Sequence, residues 1–97
     1  MTLPKQIKVG GLMLDVKLVE RLTQDRERFA EFSPRECEIR IDSDIPHNRK
    51  MLALLHEIIE AIVGQYEIDI EHEELSTLTN VLHQVLCDNS LTWGNNK

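Results

Sequence analysis

The run Leu54-Leu55-His56-Glu57-Ile58-Ile59-Glu60-Ala61-Ile62 sets one histidine and two glutamates in HExxE spacing within an otherwise apolar stretch. On a helix, His56 and Glu60 at i and i+4 share a face and can reach a single ion, while Glu57, about 100° round, can touch a water bound to that ion. This is the geometry of the HExxH zinc-hydrolase helix with its second histidine replaced by glutamate. The chemistry it points to is metal-assisted hydrolysis, in which the ion lowers the pKa of its water and Glu57 acts as general base.

HExxE alone is a weak signal, since shuffling a chain of this composition would produce it in about one case in twenty. An ordinary His56–Glu60 pair at a helix edge would contribute about 0.2–0.5 kcal/mol. Leu54, Leu55, Ile58 and Ile59 argue for something more. Polar side chains that enter a core-like region need partners, and a metal ion is one such partner.

A catalytic zinc takes three protein ligands and leaves one position open, so His56 and Glu60 need a third. His72 is the candidate, because it stands at the turn into a second helix that a short connection would fold back beside the first. The alternative for His72 is an exposed loop histidine among Glu71, Glu73 and Glu74. Those acids, with Glu67 and Asp69, equally suit a solvated surface and a favourable first helical turn. His83 follows His72 by about three turns on nearly the same face, which makes it a residue flanking the site, behind its ligands, or a satisfied histidine at the core edge. His47, two and a half turns before His56, reads as a surface residue.

These side chains must be positioned by the elements around them. Gln6–Val9 and Met13–Glu20 alternate in character across Gly10-Gly11, which predicts a hairpin. The charged stretch 23–28 reads as a connection, and Phe29–Ser33 with Glu36–Asp42 as a second strand pair across Pro34. Ser43 or Asp44 suits a helix cap before Pro46, giving a motif helix over about 46–65. A second helix follows over about 72–89, with Leu75, Leu78, Leu82, Val85 and Leu86 as an apolar stripe in need of a partner. A polar tail, 90–97, carries Leu91 and Trp93. The expected fold class is α+β: a small antiparallel sheet of about four strands in two hairpins, followed by two packed helices.

The chain has 97 residues, enough for one domain with one core, here residues 1–97. Its 11 basic and 17 acidic residues leave a net charge of −6, and no Lys/Arg cluster offers itself to phosphates, so nucleic acid is not an expected partner. The start, Met1-Thr2-Leu3-Pro4-Lys5-Gln6, lacks an apolar export segment, and no apolar run is long enough for a membrane span, so a cytoplasmic location is expected. Cys37 and Cys87 are expected to remain buried thiols.

Ile7-Lys8-Val9-Gly10-Gly11, Ile39-Arg40-Ile41-Asp42, Leu54 to Ile62 and Gln84-Val85-Leu86-Cys87-Asp88-Asn89, in that order, resemble the small zincin-like proteins encoded by bacteriophages and prophages. Those proteins have a strand-rich N-terminal half, an LLHExxHA or LLHExxEA helix, and a second helix ending in QVLxDN. The resemblance spans roughly residues 5 to 89. It implies a minimal zincin-like metallopeptidase in a bacterial host cell, with His56 as ligand, Glu57 as catalytic glutamate, Glu60 at the second-ligand position and His72 as third ligand. Two departures stand out: Glu60 replaces the usual histidine, and His83 takes a position where an aromatic is more usual.

Zn2+ is the cofactor implied, with Mn2+ or Fe2+ as alternatives because carboxylate ligands favour harder ions. The expected partner is a peptide or protein substrate, whose strand would pair with an exposed sheet edge above the motif helix. A second reading keeps the scaffold and gives it a host protein to bind through the acidic surface, without catalysis. A third, mimicry of nucleic acid, finds only modest charge to support it.

Overall fold

The structure is a computed structural model that describes residues 3–91. Strands β1 (Gln6–Val9) and β2 (Leu12–Val19) form the first hairpin, with Gly10 at φ 60° in its turn. Only glycine takes that conformation without strain, and a Cβ there would also meet the Tyr66 hydroxyl and the Gln65 amide. The 23–28 stretch differs from expectation, because Leu22–Arg26 forms a short helix, α1. Leu22 is buried, and the backbone N–H of Thr23 donates to Asp42 Oδ2 at 2.8 Å, so a carboxylate from a distant strand satisfies the start of α1. Strands β3 (Ala30–Ser33) and β4 (Glu38–Asp42) make the second hairpin.

The sheet order is β1-β2-β4-β3. Both hairpins are antiparallel, as expected, but β2 and β4 run parallel, so the sheet is mixed rather than wholly antiparallel. The route through α1 carries the chain across the sheet and allows β4 to enter in the direction of β2. This leaves β3 as an edge strand. Ile39 and Ile41 of β4 point to one face with Leu14, and Arg40 points to the other. There Arg40 contacts Glu31 Oε2 at 3.0 Å and Glu38 Oε2 at 2.6 Å, and also pairs with Glu36. Lys17 reaches Glu38 at 3.0 Å. Lys17, followed by Arg40, holds the Glu38 carboxyl below the usual carboxylate range.

Helix α2 (His47–Gln65) lies on the apolar face of the sheet, and α3 (His72–Asp88) lies on α2. One stripe of α2, including Leu54, Ile58, Ala61 and Ile62, joins the sheet core. A second, Leu55, Ile59 and Val63, meets Leu75, Leu82 and Leu86 of α3. The apolar stripe expected on the second helix therefore splits, since Leu78 and Val85 face outward. The Ser43/Asp44 cap does not form either: the N-cap of α2 is Pro46, and Asp44 Oδ2 accepts the Arg21 N–H instead. At α3 the Glu71 and Glu74 side chains close a capping box, so acids read as suiting a solvated surface or a first helical turn organise the helix start. Cys37 is half-buried and Cys87 is exposed, not buried as expected; both are free thiols. No helix of the described residues is long and apolar enough to cross a membrane. Trp93 and the rest of 92–97 lie outside the described residues.

Leu54 is fully buried where α2 meets the sheet. Leu54→Ala is expected to lower stability by about 2–5 kcal/mol with little change in the urea m-value, as measured by chemical denaturation.

Candidate metal centre

With two stripes of α2 buried against the sheet and α3, its third stripe carries Arg49, Ala53, His56, Glu57 and Glu60. It opens into a cleft of about 650 Å³ whose lining also includes residues of β3 and α3. His56 Nε2 stands 3.3 Å from Glu60 Oε2. His72, at the first position of α3, brings Nδ1 to 3.8 Å from the same carboxylate oxygen. The histidine rings meet edge to face with centroids 5.6 Å apart. One ligand atom from each of the three residues falls within 4.8 Å of the others.

This spacing suits a small ion. Two ligands at about 2.0–2.2 Å in a tetrahedral array lie roughly 3.3–3.6 Å apart, so His56 and Glu60 already stand at coordination distance from each other. His72 has to close by about 1 Å. Its side chain is 74% exposed and free to turn. Two imidazole nitrogens and a carboxylate oxygen form the His₂Glu donor set of zinc hydrolases, and one of the three protein ligands would come from α3 rather than the motif helix.

Glu57 is buried, 9% exposed, and lines the cleft. It makes no hydrogen bond or ion pair among the described residues. Burial first, and then the neighbouring Glu60 charge, push its carboxyl up to about 7, against a smaller opposing pull from Arg28. A carboxyl poised near neutrality beside a three-ligand cluster suits proton transfer at ordinary pH. An ion held by the triad would favour the ionised, basic form.

The sequence-predicted residues are thus brought together in one place, with one exception. His83 keeps the azimuth of His72 but lies about 16.5 Å further along α3 and does not line the cleft. Its ring contacts Cys87 Sγ, with Nε2 at 3.7 Å. His47 is exposed, as expected.

The cleft also contains groups that the motif did not indicate. Arg28, Phe29, Glu31 and Phe32 enter from β3 and the segment before it, and Thr79 and Asn80 from α3. Glu31, although at the cleft, is drawn away by Arg40, by Arg26 at 3.4 Å and by Arg28 at 3.7 Å. Thr79 donates to the Leu75 carbonyl at 2.8 Å and is fully buried. Arg49 was legible in principle, because it precedes His56 by seven residues, two helical turns on one face.

Comparison of the chain with protein-family models, with curated proteins and with solved structures gives no match.

Without metal, folded Glu57 holds its proton up to about pH 7, whereas the unfolded group releases it near 4.5. Between these values the folded state binds more protons, so its stability falls as pH rises through that window. Glu57→Gln is expected to flatten the slope, matching wild type near about pH 4 and exceeding it by up to about 3 kcal/mol near about pH 8. Urea titrations of the metal-free proteins across this range measure it.

Proposed function

We propose that this chain is a minimal metal-dependent hydrolase, a zincin-like peptidase that holds Zn2+ through His56, Glu60 and His72, with Glu57 as general base. The observation that carries the reading is the convergence of the three ligand atoms within 4.8 Å beside a buried carboxyl lifted to about 7. HExxE has modest weight alone. The addition of a histidine from a second helix, about 1 Å short of coordination distance on a turnable side chain, is what a metal site requires and a simple i,i+4 pair does not.

When bound, the ion would supply a polarised water and a Lewis acid for the substrate carbonyl. The protein residues do the rest. Glu57, as the carboxylate, takes the proton from that water and, once protonated, can return it to the leaving amine. Burial holds the Glu57 carboxyl near neutrality. β3 is an edge strand along the same cleft, so its free backbone groups suit an extended peptide laid along it above α2. Mn2+ or Fe2+ would satisfy the same donors. The resemblance to phage and prophage zincin-like proteins favours a bacterial cytoplasmic setting, and the peptide substrate rests on the exposed edge of β3 rather than on that resemblance.

A second reading has its own observation. Leu78 and Val81 are about half exposed on α3, beside Glu73 and Glu74. Such a surface would serve a host protein bound without catalysis, and Glu57 would then be dispensable for affinity.

Elemental analysis of untagged, chelator-free protein is expected to give about one equivalent of zinc, lost in His56→Ala and in His72→Ala. Glu57→Gln is expected to keep the metal and lose peptide hydrolysis by at least about 100-fold. A wild type that takes up neither zinc, manganese nor iron would end the hydrolase reading.

A further inference from the structure

Two guanidinium groups line the cleft, and they are not equivalent. Arg28 lies 3.7 Å from Glu31 and belongs to the charge network around β3. Arg49 has no carboxylate within ion-pair distance among the described residues. Its guanidinium carbon instead sits over the Phe29 ring, 5.6 Å from the centroid. An aromatic platform restrains a long side chain while leaving its N–H edge able to receive a planar anion in two parallel hydrogen bonds.

Its position relative to the ligand cluster is set by the helix. Arg49 and His56 are seven residues apart, so they differ by about 20° in azimuth and about 10.5 Å along the axis of α2. Leu52 and Ala53 lie between them along α2, and Phe29, beneath Arg49, and Phe32 of β3 add apolar surface to the same cleft. The cleft therefore has a metal-ligating end, an apolar middle and a cationic end. An extended peptide advances about 3.3 Å per residue, and the interval corresponds to three residues.

Building on the hydrolase reading, we infer that the cleft selects peptides carrying a carboxylate about three residues from the scissile bond, and that Arg49 is the residue that receives it. The carboxylate belongs to an aspartate or glutamate side chain or to the peptide's own C-terminus. Arg49 takes no part in the proton transfers. It places the chain in register, so its loss weakens recognition of acidic peptides and leaves neutral ones unaffected.

Binding of short peptide hydroxamates to the zinc-loaded protein separates this inference from the reading beneath it, because the hydroxamate supplies its own anchor to the ion. Two series, with the hydroxamate at either end of the peptide, remove any dependence on chain direction. Each contains a C-terminally blocked peptide with glutamate three residues from the anchor and the same peptide with glutamine. An all-alanine peptide with an N-terminal hydroxamate and a free C-terminus, against its amide, represents the terminal source. In at least one pair the carboxylate form is expected to bind at least about ten-fold tighter, a difference of about 1.4 kcal/mol. Arg49→Gln, a change at an exposed position, should erase that preference while the neutral peptides keep their affinity and the thermal unfolding curve stays unchanged. The pair showing the preference identifies the source. Equal binding of charged and neutral peptides overturns the role of Arg49 and leaves the metal reading intact, as does a preference that survives Arg49→Gln. If no hydroxamate binds the zinc-treated protein, or binding survives His56→Ala, the metal reading falls and this inference with it.

Discussion

Helix α2 is shared between two cores, and the rest of the architecture follows from that. One side of its cylinder is covered by the sheet through Leu54 and Ala61, and another by α3 through Leu55 and Ile59. A helix buried on two sides has one remaining sector for polar groups, and here it carries Arg49, His56, Glu57 and Glu60. The apolar stripes fix the rotation of the helix about its axis to within a few tens of degrees, because turning it would bring leucines into water and carboxylates into the core. The polar sector is thereby aimed at the gap between the edge strand and α3. Rigid packing of the apolar residues positions the candidate site residues.

The charges are distributed to match. On the far side of the sheet, Arg40 unites Glu31, Glu36 and Glu38, so those carboxylates are compensated within the fold. In the cleft, Glu57 lacks such a partner, and the cost of its burial appears as a raised affinity for protons. Buried carboxylates are thus satisfied in different ways, and Asp42 is held by the backbone N–H groups of Thr23 and Asp44. Those beside guanidinium groups serve the fold, while the one beside the histidine cluster is left in an energetically unsatisfied state of the sort associated with reaction sites.

Much of this was legible in the residues. Two hairpins, the motif helix and the second helix follow from alternation, from Gly10 and from the spacing of leucines, and all lie within a few residues of their expected bounds. The pairing of His72 with the HExxE face was also open to inference, because a connection of six residues after Gln65 folds the second helix back on the first. What could not be read was long-range. The parallel join of β2 to β4 depends on how α1 crosses the sheet, and α1 is a five-residue helix whose start is satisfied by Asp42, nineteen positions away. Local propensity contains no trace of such a bond. The outward turn of Leu78 and Val85 escaped for a related reason: a stripe of five apolar residues does not say how much of itself a single neighbouring helix can cover. His83 matched the azimuth of His72, but azimuth without axial distance does not make a site.

Helix α3 rests on α2, with no comparable packing against the sheet, and it delivers one member of the ligand cluster from its first turn. The cluster therefore straddles the seam between the two helices. Under the proposed reading an ion there is a clasp, tying the outermost layer to the body of the protein at the end where the connection is shortest. Segments held by a single packed face open more readily than the centre of a fold. Undocking of α3 would remove His72 while leaving His56 and Glu60 in place on α2. The three residues would then hold an ion only as firmly as one helix stays docked, and the local stability of α3 would set how long the cluster stays complete.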